Sequence, residues 1–273
     1  MTRSATLDLQ GVAIGFDRMA ASYDATFTDS VIGRAQRNVV WKALKRAFRA
    51  GDRVLELNCG TGEDALFLAG RGISVVACDA SKGMIEVAEC RKAEHAPDAA
   101  IDFQLLRNEE LGQLGGEARF DGALSNFSGL NCVVFPRGVA EELGRLVRPE
   151  GVALICVSTR VCLWEMAWYG ARANFAKAFR RISGKTVAHL DGVDVAVWYP
   201  TIRELRRAFR PWFRVRSVRA VGLFVPPSYV EGVARRHRKL LRAAEMLDRV
   251  FAAWPVLRGL GDHVLLELER TRA

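Results

Sequence analysis

The stretch Val54-Leu-Glu-Leu-Asn-Cys-Gly-Thr-Gly-Glu-Asp-Ala65 places an apolar segment directly before a glycine-rich turn and the start of a helix. The apolar segment, residues 53–57, is short and bounded by glycine, which is typical of a buried parallel strand. Glycine in the turn lets a ligand approach the backbone, and the N-terminus of the following helix presents free N–H groups. The stretch therefore predicts a nucleotide-binding turn at the carboxyl end of the first strand.

Strands and helices alternate along the rest of the chain. Apolar runs bounded by turn residues predict six further strands, at residues 73–78, 101–105, 120–125, 152–157, 213–221 and 263–269. Helical spacing of apolar residues predicts helices at residues 16–48, 63–70, 82–94, 139–147, 201–209 and 228–254. Alternation of this kind predicts an α/β fold built on a doubly wound, mostly parallel seven-stranded sheet.

The pattern divides the chain into four regions, of which the third interrupts the alternation. Residues 158–200 are rich in aromatic side chains and predict a helical lid insertion that encloses an apolar or planar substrate. The four regions are an N-terminal helical cap at 1–50, a cofactor-binding core at 51–157, the lid insertion at 158–200, and the rest of the core at 201–273 with an inserted basic helix at 228–254.

The spacing after the glycine turn predicts a cofactor that contains a nucleoside. Asp79 ends the second strand 17 residues after Gly62, where a carboxylate can accept hydrogen bonds from both hydroxyls of a ribose. Two cofactors remain open at this point. The pattern Gly60-x-Gly62-x-x-Ala65 also satisfies the fingerprint of dinucleotide-binding proteins.

Three acids around the turn favour one of these two cofactors. A dinucleotide brings a pyrophosphate, which nearby carboxylates repel, whereas S-adenosylmethionine brings an ammonium and a sulfonium, which they attract. Glu63 and Asp64 also fit ordinary pairing with the dipole of their helix. Glu56 lies within an apolar strand, where that explanation does not apply. The acids therefore indicate S-adenosylmethionine as the cofactor.

The turn and four other segments resemble the motifs of the class I S-adenosylmethionine-dependent methyltransferases of the small-molecule type. The segments are residues 16–24, 54–65, 75–88, 120–127 and 146–152, which are spread over about residues 16–157, and the final strand at 263–269 also fits the family. The resemblance implies an enzyme that transfers a methyl group to a small organic metabolite by in-line displacement. The metabolite is expected to be apolar or aromatic, and an anionic group on it is compatible with the basic helix.

The resemblance also implies which residues bind the cofactor. Gly60 and Gly62 would lie against the methionine moiety, and Asp79 would hold the ribose. The implied cofactor-binding set is Tyr23, Glu56, Asn58, Cys59, Gly60, Gly62, Asp79, Ala80, Met84, Asn108, Asn126 and Phe127. No metal site is expected, because the cysteines and histidines lack metal-ligand spacing.

Two positions depart from the pattern of the family. The first glycine of the turn is replaced by Asn58, a residue that tolerates left-handed backbone better than most. The acid that usually follows the third strand is replaced by Arg107, with Asn108 next to it. Recognition of the adenine is therefore expected to use Asn108 or backbone groups.

Two residues are candidates for a direct catalytic role. Methyl transfer needs a general base only if the acceptor atom is protonated at the working pH. His189 lies in the lid insertion and is the candidate for that base, and Tyr23 could reach the amino-acid end of the cofactor. The alternative for His189 is an ordinary exposed histidine in a surface loop.

The charge of the chain lies mostly near its C-terminus. The formal net charge is +9, and residues 200–273 supply all of the excess, with 16 basic and 7 acidic residues. A basic region of this kind attracts phosphates, nucleic acid or an anionic membrane surface, although an arginine-rich composition is the favoured explanation. The sequence has no apolar run long enough to cross a bilayer and no signal peptide, so a cytoplasmic location is expected.

Alternative functions remain open from the sequence. A nucleic-acid methyltransferase would use the same cofactor fold, but residues 125–128 lack the Asn/Asp-Pro-Pro-aromatic signature of base-methylating enzymes. An NAD-dependent dehydrogenase would need a Tyr-x-x-x-Lys or similar motif, which the chain lacks. The expected partner is thus a small-molecule substrate rather than nucleic acid. Peripheral contact with a membrane and a homodimer are both compatible with the sequence.

Overall fold

The computed structural model describes residues 3–116, 119–132 and 136–272, with side chains from Gly11 onward apart from Pro136. Within these residues a seven-stranded sheet forms the centre of the molecule, in the order β3-β2-β1-β4-β5-β9-β8. Its strands are β1 (Arg53–Leu57), β2 (Ser74–Asp79), β3 (Ile101–Leu105), β4 (Phe120–Ser125), β5 (Val147–Val157), β8 (Phe213–Val221) and β9 (His263–Arg270). Neighbours pair in parallel except at β9, which is antiparallel to both β5 and β8. The predicted fold class is confirmed.

Helices cover both faces of the sheet, as a doubly wound fold requires. On one face, α2 (Val31–Ala47), α3 (Glu63–Ala69) and α4 (Lys82–His95) contribute to an apolar core with the buried sides of β1, β2 and β4. On the other face, α5 (Pro136–Leu146) and α8 (Ile202–Phe209) close a second core. The parallel arrangement brings the carboxyl ends of β1, β2 and β4 to one edge of the sheet.

The N-terminal region contains two helices rather than the single helix predicted at residues 16–48. The first, α1, runs from Arg3 to Tyr23 and continues into a π-helical turn at Asp24–Thr28. A new helix, α2, then begins after Ser30, whose hydroxyl accepts a hydrogen bond from the backbone N–H of Gly33 at 2.8 Å. This capping by serine satisfies a free donor at the helix start and fixes the break.

The lid insertion is only partly helical, which corrects the prediction. It contains α6 (Leu163–Gly170) and α7 (Phe175–Ala178), followed by a hairpin of β6 (Lys185–Leu190) and β7 (Val193–Trp198). The two strands are joined by Asp191 and Gly192, both with positive φ, +41° and +81°. Such a two-residue Asp-Gly turn matches the twist of an antiparallel hairpin. The hairpin packs against α1.

The basic helix predicted at residues 228–254 is broken in the structure. A short 3-10 turn at Ser228–Val230 leads into α9 (Glu231–Arg236), and α10 (Arg238–Phe251) follows after His237. His237 lies exposed at the break with φ −117° and ψ 54°. In the described residues, no helix is both long and apolar enough to cross a bilayer.

Candidate functional site

A cleft of about 230 Å³ opens at the carboxyl edge of β1, β2 and β4. One side is the glycine turn after β1 together with the ends of β2 and β4, and the other side is α1 and the β6–β7 hairpin. Nine residues of the predicted cofactor-binding set line the cleft, together with Ser81, which was not in that set. The nine are Tyr23, Asn58, Gly60, Asp79, Ala80, Met84, Asn108, Asn126 and Phe127. The sheet topology thus assembles residues that are up to about a hundred positions apart in the sequence.

Asp79 is the polar centre of this cleft. Its Oδ2 accepts a hydrogen bond from the backbone N–H of Gly60 and its Oδ1 accepts one from Ser81, both at 2.9 Å. Burial raises the pKa of the carboxyl above its ordinary value, and the backbone donors act in the opposite direction. Each oxygen keeps a further lone pair directed outside the backbone contacts, which suits two neighbouring hydroxyl donors.

The two glycines of the turn have different surroundings. Gly60 has φ +54° and lines the cleft, and a Cβ added there would meet no atom within 4 Å. Gly62 has φ +76°, but its Cβ would lie 2.8 Å from the Phe103 ring and 3.0 Å from Ala88. The predicted cofactor contact therefore fits Gly60, whereas Gly62 permits close packing of the turn against β3 and α4.

This difference predicts that alanine has different main effects at the two glycines, on stability at Gly62 and on cofactor binding at Gly60. We expect Gly62→Ala to lower the free energy of unfolding by about 2–3 kcal/mol, because overpacking adds to the cost of a left-handed backbone. Gly60→Ala should cost only about 1–2 kcal/mol of stability but should weaken binding of S-adenosylhomocysteine at least about tenfold, because its methyl group projects into the open space of the turn. Urea unfolding and calorimetry measure the two effects. Equal losses of affinity in the two variants, after correction for the folded fraction, would contradict this assignment.

The asparagine that departs from the family pattern is held by polar contacts. Asn58 adopts φ +55°, so it keeps the left-handed backbone that glycine usually provides. Its Nδ2 donates to the Ser125 hydroxyl at 3.2 Å, and its Oδ1 accepts from Nδ2 of Asn108 at 2.8 Å. Asn108 is thereby fixed at the cleft wall, next to Arg107. The structure thus brings both departing positions to the site.

A smaller polar pocket adjoins the cleft and contains residues that the sequence analysis did not identify. Arg37 donates to Oδ2 of Asp64 at 2.6 Å, and the indole N–H of Trp41 donates to Oδ1 at 2.6 Å. Asn126 also donates to Asp64, at 2.8 Å. The guanidinium of Arg37 lies 4.9 Å from the centre of the Phe127 ring. Within the described residues, Nε of Arg37 is buried and has no hydrogen-bond acceptor.

No sequence signal distinguished Arg37 or Trp41 from the other residues of α2, which also carries basic residues at other positions. Asp64 was one of the three acids that favoured S-adenosylmethionine, with pairing to the helix dipole as the alternative. The structure shows instead that Asp64 is only 3% exposed and accepts three side-chain hydrogen bonds. A buried carboxylate with this many donors fixes the positions of the groups around it.

Tyr23 lies where the cleft and the polar pocket meet, because it lines both. Burial raises the pKa of its phenol to about 12, so the hydroxyl stays protonated near neutral pH. A protonated phenol can donate a hydrogen bond but cannot remove a proton from a substrate. The position supports the predicted cofactor contact and disfavours a role as a general base.

Glu56 and Cys59 do not line the cleft. Glu56 is 1% exposed and burial raises its pKa well above the ordinary value, and its Oε2 has no partner in the described residues. Cys59 lines only the polar pocket, and burial raises the pKa of its thiol well above the ordinary value. Glu56 therefore has no wall contact with the cleft, and its predicted cofactor contact would have to act from below the turn.

His189 lies outside the cleft, which corrects its prediction as the catalytic base. It sits on β6 with its ring 71% exposed, and its Nδ1 is 2.8 Å from Oδ1 of Asp194 across the hairpin. Because side chains alternate along a strand, its neighbours Ala188 and Leu190 face the cleft and His189 faces away. Among the described residues, no histidine lines the cleft or the polar pocket.

The fold and the site define an α/β protein with an open cleft at the turn after β1, and Asp79 is the polar centre of that cleft. A family profile described as a methyltransferase domain matches residues 54–151. A demethylmenaquinone methyltransferase of Clavibacter sepedonicus is 36% identical over 53% of this chain and 57% of its own length. A malonyl-[acyl-carrier protein] O-methyltransferase of Serratia marcescens is 33% identical over 60% of this chain and 59% of its own.

A solved structure of a SAM-dependent methyltransferase from Methanosarcina mazei has the same fold, with a TM-score of 0.59 at 16% identity over 84% of this chain and 97% of that one. This chain spans somewhat more than half the length of the two curated relatives it matches. Residues 54–151 therefore contain a methyltransferase domain.

Proposed function

We propose that this protein transfers the methyl group of S-adenosylmethionine to a small, largely apolar organic molecule. The observation that carries the proposal is the composition of the cleft. Its polar end holds Asp79 and adjoins the pocket of Arg37, while its other end is walled by apolar side chains of α1 and the hairpin. A cofactor with charged and apolar parts and an apolar acceptor would meet in one cavity.

The residues present fit the proposed cofactor. Asp79 has the acceptor oxygens for two ribose hydroxyls, and the unpaired Nε of buried Arg37 is a donor for the carboxylate of the methionine moiety. The open space beside Gly60 would receive the backbone-facing part of the same moiety. When bound, the cofactor supplies a methyl group on a sulfonium, whose loss leaves a neutral thioether.

The acceptor class is inferred from the wall opposite the turn. Side chains of α1 and the hairpin form this wall, namely Val12, Ala13, Phe16, Ala188, Leu190 and Val197. These side chains offer no hydrogen-bonding group, so they would exclude water and favour an apolar surface. The two relatives carry the names of different acceptors, demethylmenaquinone and malonyl-[acyl-carrier protein], and the wall is better suited to the first.

The side chains around the cleft support catalysis by positioning rather than by a general base. Burial raises the pKa of Tyr23 and of Cys132 to about 12 each, so neither would remove a proton near neutral pH. Each oxygen of Asp79 accepts a hydrogen bond from a backbone N–H, and its remaining lone pair is assigned to a ribose hydroxyl. The proposed contribution of the chain is to align the acceptor atom with the methyl group and to keep water out.

Calorimetry with S-adenosylhomocysteine and with NAD tests the cofactor. We expect the purified chain to bind S-adenosylhomocysteine and not NAD, because Asp79 and the unpaired Nε of Arg37 suit the ribose and the carboxylate of S-adenosylhomocysteine. Binding of NAD alone, or of neither compound by a folded protein, would overturn the proposal. The acceptor is then tested by mass spectrometry of reactions that contain S-adenosylmethionine and either hydroquinones with apolar tails or matched charged analogues. Methylation of the charged set alone would refute the apolar acceptor.

A further inference from the structure

The outward side of α10 exposes a row of large apolar side chains. Leu240, Met246 and Val250 are 68%, 63% and 60% exposed, and Leu247 is 41% exposed. Spacings of three, four and seven residues place these side chains on one side of the helix. Trp254 and Val256 continue the row past the helix end, at 53% and 83% exposure. We call this set, Leu240, Met246, Leu247, Val250, Trp254 and Val256, the outer face.

The opposite side of α10 attaches the helix to the body of the protein. Leu241 packs in a small core with Ile32 and Ala35 of α2, and Asp248 accepts a hydrogen bond from the backbone N–H of Phe224 at 2.7 Å. Leu240, Leu247 and Trp254 are among the apolar residues that give 228–254 its helical spacing. In the structure they are not part of any core, so the helix is held in place without them.

Cations border the outer face. Arg238, Arg242 and Arg249 follow one another at spacings of four and seven residues, so they form a strip beside the apolar row, and Lys239 lies at its N-terminal end. All four side chains are exposed, and none makes an ion pair with another residue in the described part of the chain. The adjacent end of α9 adds Arg236, whereas Arg235 is paired with Glu231.

An apolar row bordered by unpaired cations matches an anionic lipid surface. Amphipathic helices of this composition lie in the plane of a membrane interface, with apolar side chains at the acyl boundary and basic ones on the headgroups. A second copy of the chain is a poorer match, because it would bring a further set of unneutralised cations to the same contact. We propose that the outer face of α10 docks the protein on bilayers that contain anionic phospholipid. This binding surface goes beyond the proposed function and does not depend on it.

Vesicle co-sedimentation of the full chain tests the docking. We expect binding to phosphatidylcholine vesicles that contain 30 mol% phosphatidylglycerol (roughly a bacterial-like anionic fraction) and little binding to pure phosphatidylcholine. The double variant Leu240→Gln/Val250→Gln, and separately Arg238→Gln/Arg242→Gln, should each weaken binding about tenfold or more. These residues are exposed, and circular dichroism checks that the variants remain folded.

A matched control removes the same charge elsewhere. Arg206 and Arg207 are exposed on α8, and Arg206→Gln/Arg207→Gln should leave vesicle binding within about twofold of the unmodified chain. An equal loss in this control would overturn the proposal, because binding would then follow net charge alone. Absence of binding to anionic vesicles would also overturn it. A dimer of the unmodified chain would overturn it as well, if light scattering shows that this dimer dissociates in Leu240→Gln/Val250→Gln. A second copy of the chain would then cover the outer face. Cofactor calorimetry is a separate readout, so failure of docking and failure of the proposed function are distinguishable.

Discussion

Asp79→Ala should weaken the binding of S-adenosylhomocysteine by about 100-fold or more. The substitution removes both acceptor oxygens proposed for the ribose, and each hydrogen bond to a charged group contributes about 1.5–3 kcal/mol. It also removes the acceptor for the backbone N–H of Gly60, which holds the turn in the conformation that opens toward the cleft. Isothermal titration calorimetry of the folded variant measures the loss directly.

Asp121→Ala is the matched control for this prediction. Asp121 also accepts a hydrogen bond from a backbone N–H, that of Arg53 at 2.8 Å, but it lies at the opposite end of β1 from the turn. We expect it to lower stability without changing cofactor affinity by more than about twofold. An unchanged affinity in Asp79→Ala, or an equal loss in both variants, would mean that Asp79 does not hold the cofactor.

Arg37→Ala should lower the free energy of unfolding by about 3 kcal/mol. The variant leaves Asp64 buried without its cationic partner, and breaking a buried ion pair on one side costs about 3–5 kcal/mol. The hydrogen bonds that Asp64 accepts from Trp41 and Asn126 remain, so the lower end of this range is expected. Urea unfolding measures the change, and calorimetry should also detect a loss of cofactor affinity.

Two comparisons separate this explanation from a general loss of packing. Arg34→Ala, on the same helix, breaks an exposed ion pair with Asp29 and should cost less than about 1 kcal/mol. Arg37→Ala should also cost clearly less in an Asp64→Asn background, because no buried charge is then left unpaired. If the cost were the same in both backgrounds, the ion pair would not be its cause.

The core of the fold could be predicted because its signals are local. The strands β1, β3, β4 and β8 have the bounds expected from their apolar runs, and α4 begins at Lys82, the predicted start of its helix, after the capping residue Ser81. Each of these elements depends on a few neighbouring residues whose burial or capping is visible in the sequence. Their order then follows from the rules that govern parallel sheets.

The site was predicted less completely, because two of its parts depend on contacts across the fold. The pairing of Arg37 with Asp64 joins two helices, and nothing local marks either residue as buried. The outward position of His189 follows from the strand β6, whose presence was missed although Asp191-Gly192 is a strong hairpin signal. Once the hairpin is recognised, alternation alone places Ala188 and Leu190 toward the cleft.

The break at His237 has no comparable signal, because no glycine or proline occurs within four residues of it. The nearest such residue is Gly232, five positions before it. The apolar residues of 228–254 keep helical spacing, yet only some of them are buried. Leu241 faces the body of the protein, whereas Leu240 and Leu247 are exposed. Tertiary contacts, such as Asp248 with the backbone of Phe224, determine which side is buried. A pattern of apolar residues therefore predicted the helix but not its orientation.

The position of β9 has a consequence for how the molecule forms during synthesis. This strand is the last along the described chain, yet it lies inside the sheet, between β5 and β8. Among the described residues, β8 is bonded to the sheet only through its pairing with β9. While the ribosome is still adding residues before 263, β5 has an open edge and β8 has no strand to pair with. Exposed edges of this kind can pair with other chains, so the interval before β9 emerges is when aggregation is most favoured.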